Sequence, residues 1–200
     1  MNQSYDYEKI REEVRKIVKD ASYSENNSFG DTVWVYHILP VVKHSLMLGE
    51  MKNADLEVLE LAALFHDYAC LVDAELYKEH HIHSGDLAQK ILQKYDFPQG
   101  KIDAIKACIY GHRGSVQEKR ETIEAQILAS ADAMSHISEL ADLFYLAFNV
   151  HRYKTLEGCK WLKGKFNRSW NKVMPEGKEI IQEDYELAMK ILDRAINRNN

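Results

Sequence analysis

Hydrophobic residues recur at intervals of three and four along almost the whole chain, which is the spacing of one face of an α-helix. Residues 7–21, for example, bring Ile10, Val14 and Ile17 to one face. The strict alternation of apolar and polar residues that is typical of half-buried strands is scarce, and only 3 prolines and 9 glycines interrupt the pattern. The pattern therefore predicts an all-α protein.

Polar and turn-forming residues mark the breaks between the predicted helices. A second helix begins near residue 31, and residues 53–55 look like the cap of a third. The chain then loosens as far as Glu79, turns again at 96–100, and has its last predicted breaks at 154–159 and Pro175. No internal repeat or low-complexity tract divides the sequence, so we predict one domain over residues 1–200.

Composition and charge exclude several classes of function. The formal net charge is -5, which offers no basic surface for duplex nucleic acid or for an anionic membrane. No apolar run is long enough to cross a bilayer, and there is no signal peptide, so we expect a cytoplasmic protein. The 3 cysteines lie far apart in the sequence, which argues against a zinc finger or a disulfide framework.

Four histidine and aspartate residues stand out within the apolar helices. His37 lies on an otherwise apolar helix, His66 and Asp67 adjoin at the end of the third helix, and Asp132 interrupts a very apolar stretch. A single histidine of this kind is more often a core residue than a ligand. A buried carboxylate, however, costs several kcal/mol unless a cation or a strong donor lies beside it. Imidazole and carboxylate groups together suit divalent ions.

These residues resemble the pattern of the HD-domain metal-dependent phosphohydrolases, which is a histidine, an adjacent His-Asp pair and a distant aspartate on helices of one bundle. The matching stretches are His37 with ILPVV, His66-Asp67 after ELAAL, and Asp132 within SADAM. The resemblance covers about residues 31–137 and implies an HD-domain-like helical bundle to which residues 138–200 add further helices. It also implies that His37, His66, Asp67 and Asp132 bind a divalent metal ion, which would be Mn, Fe, Ni, Mg or Zn.

The resemblance extends the site to a histidine in HHIHSGDLAQKIL. Members of the family often have a histidine ahead of a pair of small residues, with alanine three residues after the pair. Matching the small pair to residues 84–85 and the alanine to Ala88 selects His80, whereas counting from Gly85 alone selects His81. We prefer His80, and we interpret His83 as a solvated or capping residue.

His112 and Arg113, in CIYGHRGS, are further candidates. The resemblance implies that His112 faces the substrate or a second metal ion, although a histidine at the C-terminal end of a helix is also favourable without any such role. Arg113 would bind phosphate because its guanidinium group is permanently charged and planar. The catalytic residues implied by the resemblance are therefore Asp67, His112 and Arg113.

The remaining polar candidates are interpreted as structural. His44 follows His37 by seven residues on the same helical face, and spacing alone does not separate the two. The resemblance favours His37, because apolar residues follow it as in the family, and leaves His44 as a core or rim residue. We assign no role to His136 or His151. Arg168 and Lys172 could reach a phosphate from the C-terminal part of the chain, but we interpret them as an exposed basic helix face.

The resemblance implies a hydrolase for a phosphate ester of a nucleotide or of another small phosphorylated metabolite. Two departures from the family narrow this reading: residues 68–70 are Tyr-Ala-Cys where many members have Ile-Gly-Lys, and the Gly-Tyr-Pro signature of cyclic dinucleotide hydrolases is absent. The alternatives are a non-catalytic HD module that binds metal and nucleotide in a sensory or regulatory role, and a plain helical bundle. The oligomeric state stays open, with a homo-oligomer among the alternatives.

Overall fold

The structure is a computed structural model and describes residues 5–113 and 120–199. Every regular element in these ranges is helical, with no strand, so the prediction of an all-α protein is confirmed. None of these helices is long and apolar enough to cross a lipid bilayer. The α-helices are α1 (Tyr7–Ser22), α2 (Leu39–Lys52), α3 (Leu56–Phe65), α4 (Tyr68–Val72), α5 (His80–Leu92), α6 (Gln99–His112), α7 (Ile123–Ser138), α8 (Leu140–Tyr145), α9 (Thr155–Lys172) and α10 (Pro175–Ile196).

Shorter helical turns connect several of these elements. A π-helical turn leads into α2, and a 3-10 helix forms the second half of the segment before α5 that we predicted to be loose. The short helix α4 also lies in that segment, so the segment contains more regular structure than we predicted. The π-helical turns are Trp34–Ile38 and Leu146–Val150, and the 3-10 segments are Ala74–Glu79, Gln93–Tyr95 and Asn197–Asn199.

Local chemistry explains where the helices begin and end. The Asp55 carboxylate accepts hydrogen bonds from the backbone N–H groups of Glu57 and Val58, which caps α3 as predicted. Pro175 is the first residue of α10, where its missing N–H group costs nothing. The predicted end of α6 at residues 111–114 agrees with a last helical residue at His112, although Gly114 lies outside the described residues.

The break predicted around residues 154–159 is present but lies earlier, at residues 151–154, because α9 already begins at Thr155 and continues without interruption. Gly158 does not end the helix. A Cβ atom at this position would lie 2.2 Å from Cε1 of Phe148, so glycine is required for close packing against the preceding π-helical turn. Cys159, Leu162 and Phe166 then bury one face of α9.

The central helix is α7, which separates two hydrophobic clusters. Ala125, Leu128 and Ala131 belong to a cluster built mainly from the helices that precede α7. Ile127 and Met134 belong to a second cluster, formed largely with α9 and α10. Burial on both sides explains why α7 is apolar almost all round, as its sequence suggested. It also means that the C-terminal helices lie against the same element that carries Asp132.

Close packing of α2 on α3 leads to a first prediction. A Cβ atom at Gly49 would lie 2.5 Å from Cδ1 of Leu59 and 2.7 Å from Cδ2 of Leu56. We expect Gly49→Ala to lower the free energy of unfolding by about 1–3 kcal/mol, because overpacking outweighs the better helix propensity of alanine. Gly100→Ala is the matched control, since nothing lies within 4 Å of a Cβ there. Urea denaturation measures both, and a Gly49→Ala protein as stable as Gly100→Ala would contradict the packing.

Candidate metal centre

The His66-Asp67 pair lies where α3 ends and α4 has not yet begun. His66 still has helical dihedral angles, but at Asp67 the chain leaves the helix, with φ -110° and ψ 11°. Neighbouring residues within a helix would point about 100° apart. The break instead lets both side chains face one point, and Nε2 of His66 lies 3.5 Å from Oδ2 of Asp67.

His37 and Asp132 reach the same point from other elements. His37 lies in the π-helical turn before α2, and its Nε2 is 3.1 Å from Nε2 of His66. The same atom is 3.5 Å from Oδ2 of Asp67 and 3.7 Å from Oδ1 of Asp132. Donor atoms of His37, His66 and Asp132 lie within 4.8 Å of one another, and all three residues are buried.

The hydrogen bonds of the two Nδ1 atoms determine the tautomers of His37 and His66. Nδ1 of His66 is 2.7 Å from the carbonyl oxygen of Ala63, which can only accept, so this nitrogen carries the proton. Ser135 donates its hydroxyl proton to the carbonyl oxygen of Asp132 and therefore accepts from Nδ1 of His37 at 3.0 Å. In their neutral forms, both rings turn the lone pair of Nε2 inward. Two facing lone pairs require a proton or a cation.

A second histidine pair repeats this arrangement. Nδ1 of His80 is 2.8 Å from the carbonyl oxygen of Tyr77, and Nδ1 of His112 is 2.5 Å from that of Ile109. The two Nε2 atoms are 3.2 Å apart. They lie 3.3 Å and 3.6 Å from Oδ1 of Asp67. Asp67 thus lies between two histidine pairs and turns one oxygen to each.

The two pairs fit the ligand chemistry of divalent ions. Two ligands bound at about 2.1 Å to one ion in tetrahedral or octahedral geometry are roughly 3.0–3.4 Å apart. The Nε2 separations of 3.1 Å and 3.2 Å lie in that range. A hydrogen bond from each Nδ1 also holds the ring orientation, as is usual for metal-bound histidines. The residues of this cluster could therefore hold one ion, or two that share Asp67.

Electrostatic interactions keep the carboxylates ionised. Burial raises the pKa of Asp67, but the surrounding imidazoles outweigh it and hold that pKa well below its ordinary value. The pKa of Asp132 is likewise well below its usual range, because Lys172 and His136 outweigh burial. Burial lowers the pKa of His66 to about 4 and also lowers that of His80. Ionised carboxylates and neutral imidazoles are the forms that bind metal.

His37 is the exception within the cluster. Burial lowers its pKa, but the hydrogen bond to Asp67 and the charge of Asp132 outweigh burial, so the pKa is raised overall. A proton on His37 relieves the repulsion between the two facing nitrogen atoms in the metal-free protein. Metal binding at this point would release that proton.

Two residues that the sequence analysis assigned to structural roles lie beside the cluster. The interpretation of Lys172 as exposed is wrong: its side chain is only 12% exposed, and Nζ is 2.5 Å from Oδ2 of Asp132 and 3.1 Å from the carbonyl oxygen of His112. His136 stacks on His37 with ring centroids 5.3 Å apart, and its Nε2 is 3.5 Å from Oδ1 of Asp132. The four-residue spacing of His136 after Asp132 was a signal for this contact. No local signal indicates Lys172.

His44, His81 and His151 lie outside the two histidine pairs. His44 is buried and its Nε2 is 3.1 Å from Oγ of Ser138, as expected for a core residue. His80 lines the central cavity, whereas its neighbour His81 is buried behind it, with ring centroids 5.8 Å apart. His151 packs on Trp161 at a centroid distance of 5.3 Å.

The cluster forms the floor of a cavity of about 600 Å³ with two chemically different walls. Asp142, held by a 2.9 Å hydrogen bond from Thr32, lies at the rim. Arg168 is exposed as expected, but it lines this cavity. The cationic wall consists of Arg113, Arg120, Lys165, Arg168 and Lys172. The apolar wall consists of Phe29, Val33, Leu143, Leu146 and Trp161.

Solved structures share this fold. The Lin1889 protein of Listeria innocua superposes with a TM-score of 0.68 at 19% identity, covering 94% of this chain and 96% of that chain. YpgQ of Bacillus subtilis, crystallised with ADP, gives 0.64 at 18% identity, with 94% and 97% covered. A predicted HD superfamily hydrolase of an uncultured Thermotogales bacterium gives 0.63 at 15% identity, with 94% and 92% covered.

Sequence comparison identifies the family. An uncharacterised protein of Clostridium beijerinckii is 26% identical over 155 residues, which cover 76% of this chain and 84% of the relative. The sequence profile of the HD domain matches residues 34–137, which is more than half of the chain and contains all four residues of the motif. The chain therefore belongs to the HD-domain family.

Proposed function

We propose that this protein is a metal-dependent phosphohydrolase that acts on a nucleotide or another small phosphorylated metabolite. In this proposal His37, His66, Asp67 and Asp132 bind a divalent ion. The observation that carries it is that these buried donor atoms converge at the floor of a cavity with a cationic wall. Metal ligands and cations on one cavity suit a phosphoryl group, since its oxygens carry negative charge before and during the reaction.

A bound ion would lower the pKa of water and polarise a phosphoryl oxygen. Asp67 orients the attacking water, because each of its oxygens faces one histidine pair and can accept a hydrogen bond beside the ligands. Lys172 keeps the Asp132 carboxylate ionised and directed into the cavity. Arg113, anchored by a hydrogen bond to the carbonyl oxygen of Lys78, binds a phosphate oxygen.

The second histidine pair has two roles within the same proposal. With Oδ1 of Asp67, His80 and His112 could hold a second ion, since their separation repeats that of the first pair. Both rings of this pair already carry a proton on Nδ1, so the 3.2 Å contact between their Nε2 atoms requires one further proton or a cation. With a single ion in place, that further proton would lie on Nε2 of His112 and be donated to the phosphate. Metal stoichiometry separates the two arrangements, and His81 takes part in neither.

Cavity size and a structural relative favour a nucleotide. A volume of about 600 Å³ is in the usual range for sites that enclose a small organic ligand. The apolar wall, with Trp161, suits a base, and the cationic wall suits its phosphates. YpgQ, which has a similar fold, was crystallised with ADP.

A metal-supplemented substrate panel tests the proposal. Protein stripped of metal and reloaded with Mn, Ni or Mg should release phosphate or pyrophosphate from at least one nucleotide or phosphomonoester, and the stripped protein should not. Arg113→Gln should lower kcat/KM by about 10–100-fold, because a charged donor to phosphate is lost. Full metal occupancy without turnover on any member of the panel would contradict catalysis.

A further inference from the structure

The cationic wall is ordered along one face of α9. Trp161, Lys165, Arg168 and Lys172 follow one another at spacings of four, three and four residues, so they share one side of the helix. Lys172 lies at the metal-binding end, where it contacts Asp132. At about 1.5 Å per residue, Lys165 lies roughly 10 Å and Trp161 roughly 16 Å further along the helix axis. The position of a residue along this face therefore corresponds to its distance from the candidate metal ligands.

Some cations of this wall already have a hydrogen bond or an ion pair with another protein group, and others do not. Lys172 contacts Asp132, Arg113 donates to the carbonyl oxygen of Lys78, and Arg120 donates to that of Gly111 at 2.8 Å. In the described ranges, by contrast, no hydrogen bond or ion pair engages the side chains of Lys165 and Arg168. Within these ranges, every donor of Lys165 and Arg168 is therefore available to a ligand, whereas Arg113 and Arg120 offer only the N–H groups that the backbone carbonyls leave unused.

Lys165 carries the stronger signal of the two. Its side chain is half-buried in the cavity wall, and burial lowers the pKa of its ammonium group. The carboxylates of Asp132 and Asp67 interact with this charge but form no ion pair with it, and a partly desolvated cation without a direct partner is unfavourable. Arg168 is exposed, and water compensates its charge. An anionic ligand group at Lys165 would form the direct ion pair that the described residues do not provide.

We infer that Lys165, assisted by Arg168, binds a second anionic group of the substrate and so makes the site selective for nucleoside diphosphates and triphosphates over monophosphates. The inference rests on the proposed function, since it takes the reacting phosphoryl group to lie at the metal ligands beside Lys172. The next phosphate then points along α9 towards Lys165, and the base reaches Trp161 and the apolar wall. Lys165 thereby determines specificity without contacting the phosphorus atom that is attacked.

Equilibrium binding tests the inference independently of turnover. The probes are hydrolysis-resistant methylene phosphonate analogues of AMP and ADP, titrated calorimetrically into Mn-loaded protein. Wild type should bind the ADP analogue about 10-fold or more tightly than the AMP analogue, because one further charged contact forms. Lys165→Gln should reduce this ratio to less than about threefold, mainly by weakening the ADP analogue. Metal content should stay unchanged, which shows that the variant is folded.

Lys160→Gln is the matched control, since it removes the same charge from an exposed position of α9 outside the cavity lining. It should retain the wild-type ratio. The inference is overturned if Lys165→Gln weakens both analogues equally, if it changes neither, or if wild type shows no preference. Selective binding without hydrolysis of any substrate would contradict the proposed function alone. Hydrolysis without a Lys165-dependent preference would contradict this inference alone.

Discussion

Asp67→Asn should reduce metal affinity by at least about 100-fold and abolish metal-dependent hydrolysis. The substitution preserves the shape of the side chain but removes the charge that lies between two histidine pairs, within 3.3–3.6 Å of their Nε2 atoms. An amide oxygen is a weaker ligand than a carboxylate, and an amide N–H₂ group facing a bound ion is repelled. Metal content after Mn incubation and dialysis, together with turnover, measures the effect.

Asp142→Asn provides the control for charge in the same cavity. Asp142 also lines the cavity, but its carboxylate accepts a hydrogen bond from Thr32 and lies outside the histidine cluster. We expect this variant to retain its metal. Equal metal retention in the two variants would show that Asp67 is not a ligand.

His37→Ala should reduce metal affinity by a factor similar to that expected for Asp67→Asn, whereas His44→Ala should retain its metal. His37 presents Nε2 to His66, Asp67 and Asp132, so its removal opens a coordination position. His44 contacts Ser138 instead, so its loss should cost about 1 kcal/mol of unfolding free energy at pH 7. Metal binding that survives His37→Ala and disappears in His44→Ala would reverse this assignment.

The pH dependence of the free energy of unfolding gives a further prediction for His44→Ala. Burial, with the charge of Lys43 added, lowers the pKa of His44 to about 4. Its folded-state pKa is below the unfolded value of about 6.5, so protonation favours unfolding as the pH falls between these values. His44→Ala removes this penalty. Its stability relative to wild type should therefore improve by about 2 kcal/mol between pH 7 and pH 5 in urea denaturation of metal-free protein.

Local interactions explain why so much of the site was predictable. The break after α3 directs His66 and Asp67 to one point. The ring nitrogens of His66, His80 and His112 are held by the carbonyl oxygens of residues three positions earlier. Such contacts form between residues that are close in the sequence, so a short sequence motif is enough to predict them. The ligand roles of these residues, and the single-domain organisation, stay predictions.

Neighbouring histidines show where spacing is insufficient. His80 and His81 lie on one helix and point about 100° apart, so only one of them can face a given cavity. Packing of α5 turns His80 towards His112 and buries His81 behind it. In the same way, a seven-residue spacing brought His37 and His44 to one helical face, yet two helical turns separate them, roughly 10 Å along the axis. The contacts at each level of the bundle then differ.

The sequence by itself determined the helical class, most helix boundaries and the residues of the HD motif, because periodicity, caps and adjacent ligands are local properties. The tertiary structure decided which groups surround that motif. Lys172 lies 40 residues from Asp132 in the sequence and meets it only because α9 packs on α7. The cationic wall and the stacking of His136 on His37 have the same origin. Periodicity indicates which face of a helix is buried, but the partner of that face is chosen by long-range packing.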